Sequence, residues 1–477
     1  MTTVRDTGGG LGAAASNSDL VEHALELAAA GRDHAGTSVL VSQESTANLR
    51  WACNTLTTNG VGTGRTVAVV TAVRTPRGVS TGTVARRGVT AADLPDLVDA
   101  ARAVAAAAPP AEDAAELPPG SADADFGDAG VVGGPEVFGS LAAGLGPALR
   151  EAREQGRELF GYAEHVIRTS WLGTSAGVRR RHVQPSGAVD LTGKSHDRTR
   201  STYVSQATRD FSDVDIRALD DQVRTRLGWQ ARIVDVGAGR HDTVLPPTAV
   251  ADLMVYLYWS SDARSAHEGR SVFSRRGGGT RLGDRLTDVR VTMSSDPSRP
   301  GLQCPNHVET LASSPYASVF DNGLATPAVT WVDEGRLVAL PTTRHTAALT
   351  GLPVRPAVDN LVLGSPDASG GLDDLVAGTS EGLLLTSLWY IREVDPVTLL
   401  LTGLTRDGVY LVRGGEVAGA VTNFRFNESP VDLLSRIDAL GTPQVTMSRE
   451  WGEWFPRTEM PPMRVRGFNM SSTSQAS

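Results

Sequence analysis

The residues of this 477-residue chain that could do chemistry fall into a few groups. Cys304-Pro-Asn-His307-Val-Glu309 gathers a thiol, an imidazole and a carboxylate in one short stretch. Such a set could ligate a metal, or act directly as a hydrolase centre. A structural zinc site needs about four ligands, however, and no second cluster accompanies this one. The simpler reading is a buried cysteine beside a surface histidine. His267–Glu268 is a second candidate pair, but HEGRS ends on Ser271 and offers no second ligand, so a surface loop is expected there. His165, His182, His196, His241 and His345 stand singly. No Gly-x-Ser-x-Gly nucleophile elbow is expected. Gly277–Gly279, flanked by Arg275, Arg276 and Arg281, could cradle an anion. The Lys-Ser/Thr ending of a phosphate loop is missing there, so no nucleotide site is expected. Glycines in such a loop also let a backbone approach an extended peptide closely. The aromatics group as Tyr256, Tyr258 and Trp259, then Trp389 and Tyr390, then Trp451, Trp454 and Phe455. Core packing accounts for them in the first instance, and a partner-facing or substrate-facing surface is the alternative.

The elements that would position these residues fall into blocks. Residues 1–17 are rich in Gly, Ala and Thr and read as a disordered N-terminus. Ser18 is expected to cap a helix, followed by β-branched runs separated by Asn-Gly and Gly-x-Gly turns, then a helix up to Ala108. Residues 18–108 thus read as an N-terminal α/β unit. Residues 109–135, rich in Ala, Pro and Gly, read as a linker or long surface loop. Residues 136–235 read as a central α/β unit, with an amphipathic helix capped by Asp213. Pro246–Pro247 opens an apolar helix, TAVADLMVYLYW, and beyond it the chain is mostly short strands and turns. The string YLVRGGEVAGAV predicts a hairpin with a Gly-Gly turn, and SPVDLLSRIDALG a helix with Pro430 at its first position. Residues 236–470 therefore read as a large β-rich, barrel-like domain, with 471–477 as a tail. The fold class is α+β.

Composition narrows the functional classes. Net charge is −9, and Arg179–His182 is too short a basic run to predict nucleic-acid binding. The two cysteines, Cys53 and Cys304, lie far apart in sequence, which excludes a disulfide framework and fits a reducing compartment. The N-terminus lacks the apolar segment of a signal peptide, and no apolar run is long enough for a bilayer span, so a soluble cytoplasmic protein is expected.

Several segments together resemble one family. These are GRHDTVLPPTAVADLM at Gly239–Met254, SVFS at Ser271–Ser274, EGRLVALPTTRHTA at Glu334–Ala347, and GLLLTSLWYIREVDPVTLLLTGLTRDGVYLVRGGEVAGAV at Gly382–Val421. They are similar to the C-terminal domain of the TldD/PmbA (TldD/TldE) metallopeptidases, and the resemblance runs from about Thr37 to Phe468. In the family's catalytic subunits a helix carries HExxxH, and a late cysteine completes the metal site. Counting back from SVFS without a gap puts Met254, Val255 and Trp259 at the His, Glu and His positions. No cysteine follows Thr442, and Ala249–Asp262 contains no His, Cys or Glu.

The resemblance therefore implies a TldE/PmbA-like subunit that holds no metal or cofactor and has no catalytic residue of its own. It further implies a TldD-like, HExxxH-bearing partner in a heterodimer. That partner would carry the zinc, and the pair would degrade or process unfolded or modified peptides, natural-product precursors among them. Trp259, Gly277, Gly278, Trp389 and Tyr390 are the positions expected to meet substrate or partner. The alternative is a metal-free peptide-binding or scaffold homo-oligomer without proteolytic activity.

Overall fold

The structure is a computed structural model and describes residues 15–474. The N-terminal stretch 1–14 and residues 475–477, parts of the segments expected as a disordered N-terminus and a tail, lie outside the described residues. The first helix, α1 (Asn17–Ala29), is capped by Ser16, not Ser18. Ser16 accepts from the Asp19 amide while Asp19 reaches back to the Ser16 amide, so two otherwise unpaired donors are satisfied together. Leu20, Val21, Ala24, Leu25 and Ala28 form its buried face.

Three long strands follow, β1 (His34–Ala52), β2 (Thr55–Thr75) and β3 (Gly78–Arg87), and then α2 (Leu94–Ala107). After residues 109–134 come α3 (Gly139–Glu154), β4 (Arg157–Thr174), β5 (Arg179–Ser195), β6 (Ser201–Thr208) and α4 (Ile216–Trp229). The six strands make one antiparallel sheet in the order β3-β2-β1-β4-β5-β6. The two α/β units expected from the sequence are thus two halves of a single sheet. The reason is that β1 pairs β2 along one edge and β4 along the other, so neither half has a free inner edge. Glycines let the helices close on it: a Cβ on Gly82 would lie 2.3 Å from the Ala101 carbonyl of α2. The cap of α4 is Asp215, which accepts from the Arg217 and Ala218 amides, whereas Asp213 takes a hydrogen bond from Thr208. The segment 109–134 is an ordered loop and not a free linker. Phe126 is buried in the core under α1 and α2, and Asp123 holds Arg180 at 3.0 Å.

The second domain contains β7 (Gly239–Leu245), α5 (Pro247–Trp259) and fourteen more strands. These are β8 (Thr292–Ser295), β9 (Val329–Asp333), β10 (Arg336–Leu337), β11 (Leu361–Gly364), β12 (Glu381–Leu385), β13 (Leu388–Asp395), β14 (Leu400–Thr405), β15 (Val409–Arg413), β16 (Glu416–Ala420), β17 (Phe424–Glu428), β18 (Ile437–Leu440), β19 (Gln444–Thr446), β20 (Thr458–Met460) and β21 (Met463–Thr473). One sheet runs β10-β9-β8-β11-β20-β19. The other runs β13-β14-β17-β21-β7-β12-β15-β16, with β18 also paired to β21. Among the described residues neither sheet closes on itself, so two open sheets stand where a barrel-like domain was expected. The β15–β16 hairpin turns on Gly414 and Gly415, both at positive φ, as the Gly-Gly string predicts. Helix Pro430–Leu434 is only five residues long, because Ile437–Leu440 is drawn into pairing with β21. The final strand takes in residues 471–473 of the expected tail.

Helix α5 is apolar on every face apart from Asp252, and both sheets contribute to the core that buries it. No helix among the described residues is long and apolar enough to cross a membrane.

Candidate functional site

The space between the two domains holds two cavities that share a wall, the segment 444–457. The larger, about 1190 Å³, is bordered by β6, α4, the start of α5 and the β15–β16 turn. β6, β16 and β19 each stand last in their sheet, and all three border this cavity. Edge strands present main-chain N–H and C=O groups that no neighbouring strand uses. Parts of two of these edges are already used: on β6, Arg226 donates to the Tyr203 carbonyl at 2.7 Å and Gln230 to that of Ser201 at 2.6 Å, and on β16, Ala420 donates to the Arg232 carbonyl and accepts from the Val234 amide, both at 2.8 Å.

Arg449 lines this cavity in a fixed pose. Its guanidinium lies 4.2 Å from the Tyr203 ring centroid and 4.3 Å from that of Trp389, so two aromatic faces hold it. It also pairs with Asp407 at 3.3 Å and donates to the Ser387 hydroxyl. On β5, Asp190 is pushed up to about 6, chiefly by burial, with Arg449 and Arg50 opposing the shift.

Asp252, on α5, is fully buried and also lines the larger cavity. One carboxylate oxygen accepts from Ser448 Oγ at 2.5 Å and from the Glu450 amide at 2.9 Å. The other has no hydrogen-bond partner. Burial pushes this carboxyl up to about 7, against the lowering effect of those two hydrogen bonds. The Trp451 indole donates to the Asp252 carbonyl at 2.9 Å, so helix and shared wall are tied at two points. Asp252 is a residue that the reading for His, Cys and Glu passed over. Its signal was present as a single charged residue inside an otherwise apolar helix.

The smaller cavity, about 530 Å³, lies between β4 and β5 and the loops 305–321, 356–359 and 452–457. Ser170 donates to Glu309 at 2.9 Å, and His307 Nε2 lies 3.6 Å from the same carboxylate. Burial acts to raise the Glu309 carboxyl, but His307 and Ser170 outweigh it, and the net shift is downward. His182 is lowered, mainly by burial, and its ring is hydrogen-bonded to Gln184. Cys304 does not join this group: it is buried, lies outside the cavity lining, and burial pushes its thiol up to about 12. A thiol so protonated is no nucleophile, and the direct-hydrolase reading of Cys304, His307 and Glu309 loses its attacking group.

The structure disperses the other positions singled out in the sequence. Met254 and Val255 are fully buried in the core, and Trp259 meets Trp451 and Phe455 edge-to-face at 5.5 and 6.1 Å between ring centroids. Gly277 and Gly278 sit at positive φ in an exposed turn and line neither cavity. Trp389 backs Arg449, whereas Tyr390 is exposed. Among the described residues, no three His, Cys, Asp or Glu side chains converge as a metal site would require. The string Gly-x-Ser-x-Gly does occur, at Gly78–Gly82, Gly173–Gly177 and Gly378–Gly382, contrary to expectation. None of the three sits on the strand-to-helix turn that makes a nucleophile elbow.

Residues 238–472 match the PmbA/TldA metallopeptidase C-terminal domain family. Three solved structures share the fold over nearly the whole chain. TldE from Thermococcus kodakarensis superposes with a TM-score of 0.74 at 14% identity, covering 95% of this chain and 99% of the other. A protein named as a modulator of DNA gyrase from Thermotoga maritima gives 0.71 at 15% identity, covering 94% and 99%. Another so named, from Bacteroides thetaiotaomicron, gives 0.71 at 14% identity, covering 96% and 99%. No curated protein is matched by sequence.

Proposed function

This chain belongs to the TldD/PmbA metallopeptidase family through its C-terminal domain, and we propose that it is the non-metallated, TldE/PmbA-like subunit of a heteromeric zinc peptidase. The observation that carries this reading is helix α5. A zinc-binding helix must present nitrogen or sulfur ligands to an open coordination position. Here Met254 and Val255 are sealed in the core, and Trp259 is packed under Trp451. The residues present do not fit a metal, and no catalytic step is assigned to this chain.

In this reading zinc resides in a TldD-like partner bearing HExxxH and a late cysteine, and the pair works on unfolded or modified peptides in the cytoplasm. The larger cavity gives this chain a part in holding such a peptide. Three edge strands border it, and an extended chain can pair with an edge strand through main-chain hydrogen bonds whatever its sequence. Arg449 and Trp389 then form a rigid flank, and Gly277, Gly278 and Tyr390 remain as exposed positions for contact with the partner.

Co-expression with the candidate partner, followed by metal analysis and peptide digestion, tests the reading. The expected outcome is a stoichiometric complex, zinc in the complex but not in this chain alone, and chelator-sensitive cleavage by the complex only. Chelator-sensitive cleavage by the isolated chain would overturn it. A metal-free homo-oligomer that binds peptide and recruits no partner would favour the scaffold alternative.

A further inference from the structure

One cation on the lining of the larger interdomain cavity has no counter-charge. Arg226 stands in the last turn of α4, half-buried, and borders the cavity. Its Nη1 donates to the Tyr203 carbonyl at 2.7 Å. Among the described residues this is its one hydrogen bond, and it joins no ion pair. Nε and Nη2 bond nothing in the chain and stay open rather than sealed. Burial lowers the pKa of the guanidinium, and the one group opposing that shift is the Tyr410 hydroxyl, not a carboxylate. An arginine keeps its proton throughout the physiological range, so the charge is fixed. The other arginine on this lining, Arg449, is already paired with Asp407.

A charge withdrawn from water without a partner is unfavourable, and an incoming anion relieves it. The Nε–Nη2 side of a guanidinium presents two parallel donors that match the two oxygens of a carboxylate. A polyanion fits less well, because Asp373, Asp374 and Glu416 also line the cavity. Strand direction adds a second constraint. Ser201 and Tyr203 turn their carbonyls away from β5, towards Gln230 and Arg226. Main-chain groups of an antiparallel strand alternate in direction, so the next outward ones on the cavity side belong to Ser205 and Ala207. An extended chain paired antiparallel with β6 there runs from Thr208 towards Ser201, which brings its C-terminal end to Arg226. A chain laid parallel would bring an ammonium group against the guanidinium instead.

We infer that Arg226 binds a carboxylate of a peptide lying along β6 in the larger cavity. The chemistry is shared by the α-carboxylate of a chain end and by an aspartate or glutamate side chain. The choice of a peptide as carrier rests on the reading of this cavity as a peptide holder, whereas the carboxylate contact rests on Arg226 itself.

Calorimetric titration of the full chain with three probes tests it: N-acetyl-trialanine, N-acetyl-trialanine amide and N-acetyl-alanylglutamylalaninamide. At least one of the two carboxylate-bearing probes is expected to bind, and N-acetyl-trialanine amide at least about tenfold more weakly than whichever binds. Binding of N-acetyl-trialanine identifies a chain end as the source, and binding of the glutamyl probe alone identifies a side chain. Arg226→Gln keeps a donor for the Tyr203 carbonyl and removes the charge. It should bring the carboxylate probe down to the affinity of the amide and leave the amide unchanged. Because that substitution also alters the link between α4 and β6, a second measurement uses the unaltered chain: the Nε–H resonance of Arg226 should shift on adding the carboxylate probe and not the amide. The inference is overturned if neither carboxylate probe binds at millimolar concentration, if the amide binds as tightly as the acid, or if the Nε–H resonance stays fixed while a probe binds. Equal binding of acid and amide would remove the carboxylate contact and leave the cavity a peptide holder, whereas no binding by any probe would remove both.

Discussion

Replacing Asp252 by Asn should flatten the pH dependence of the second domain's stability. In the unfolded chain this carboxyl titrates near 3.8, and in the folded core burial pushes it to about 7. Between those values the folded state binds the proton more tightly than the unfolded state does. Stability therefore falls as pH rises through that window, by about 1.4 kcal/mol per pH unit and roughly 4 kcal/mol in full. Below the window both states are protonated, and above it both are charged, so the contribution is constant on either side. Between about pH 5 and pH 7 the group should cost the wild-type protein about 3 kcal/mol that Asp252→Asn does not lose. Asparagine retains an acceptor for Ser448 and the Glu450 amide, which keeps the tie to the shared wall. Urea unfolding at a series of pH values, followed by tryptophan fluorescence, reads this directly, because Trp451 donates to the Asp252 carbonyl. The informative quantity is the difference in slope between the two proteins, since the substitution also changes absolute stability. Parallel curves from about pH 5 to pH 8 would refute the reasoning and mean that Asp252 stays solvated or paired in the folded state.

Three more outcomes follow from the same structure. Asp220→Ala strips the partner from Arg157, whose guanidinium meets that carboxylate at 2.6 and 3.1 Å with both side chains 8% exposed, and should destabilise the first domain by about 3–5 kcal/mol in urea unfolding. Gly82→Ala drives a methyl group to 2.3 Å from the Ala101 carbonyl, so α2 must lift from β3 at a cost of about 1–3 kcal/mol, visible as faster amide exchange along α2. Thiol titration of the native protein should detect one reactive cysteine, Cys53, which is exposed, while Cys304 reacts only after denaturation.

Much of the architecture was legible because local patterns carry it. The apolar helix behind Pro246–Pro247 and the Gly-Gly hairpin are written in a dozen residues each, and both form as read. The misreadings share a cause. Ser16 and Asp215 displace Ser18 and Asp213 as caps because several Ser and Asp residues compete within one turn, and only the geometry chooses among them. The stretch Ile437–Leu440 has an amphipathic helical pattern but is claimed by a long strand beside it, a tertiary pairing that outweighs local propensity.

The sequence alone determined which ligands are missing: a helix without His, Cys or Glu cannot assemble a zinc site whatever its surroundings. It also determined the α+β class, through periodicity and turn chemistry. Only the tertiary structure decided which residues share a cavity. His182, His307 and Glu309 come from opposite domains, and Arg449 finds Tyr203 and Trp389 hundreds or tens of positions away along the chain. Only it decided, too, that Asp252 is dry and partly unpaired. Burial and desolvation depend on what the rest of the chain packs around a group, and a linear sequence does not state its neighbours in space.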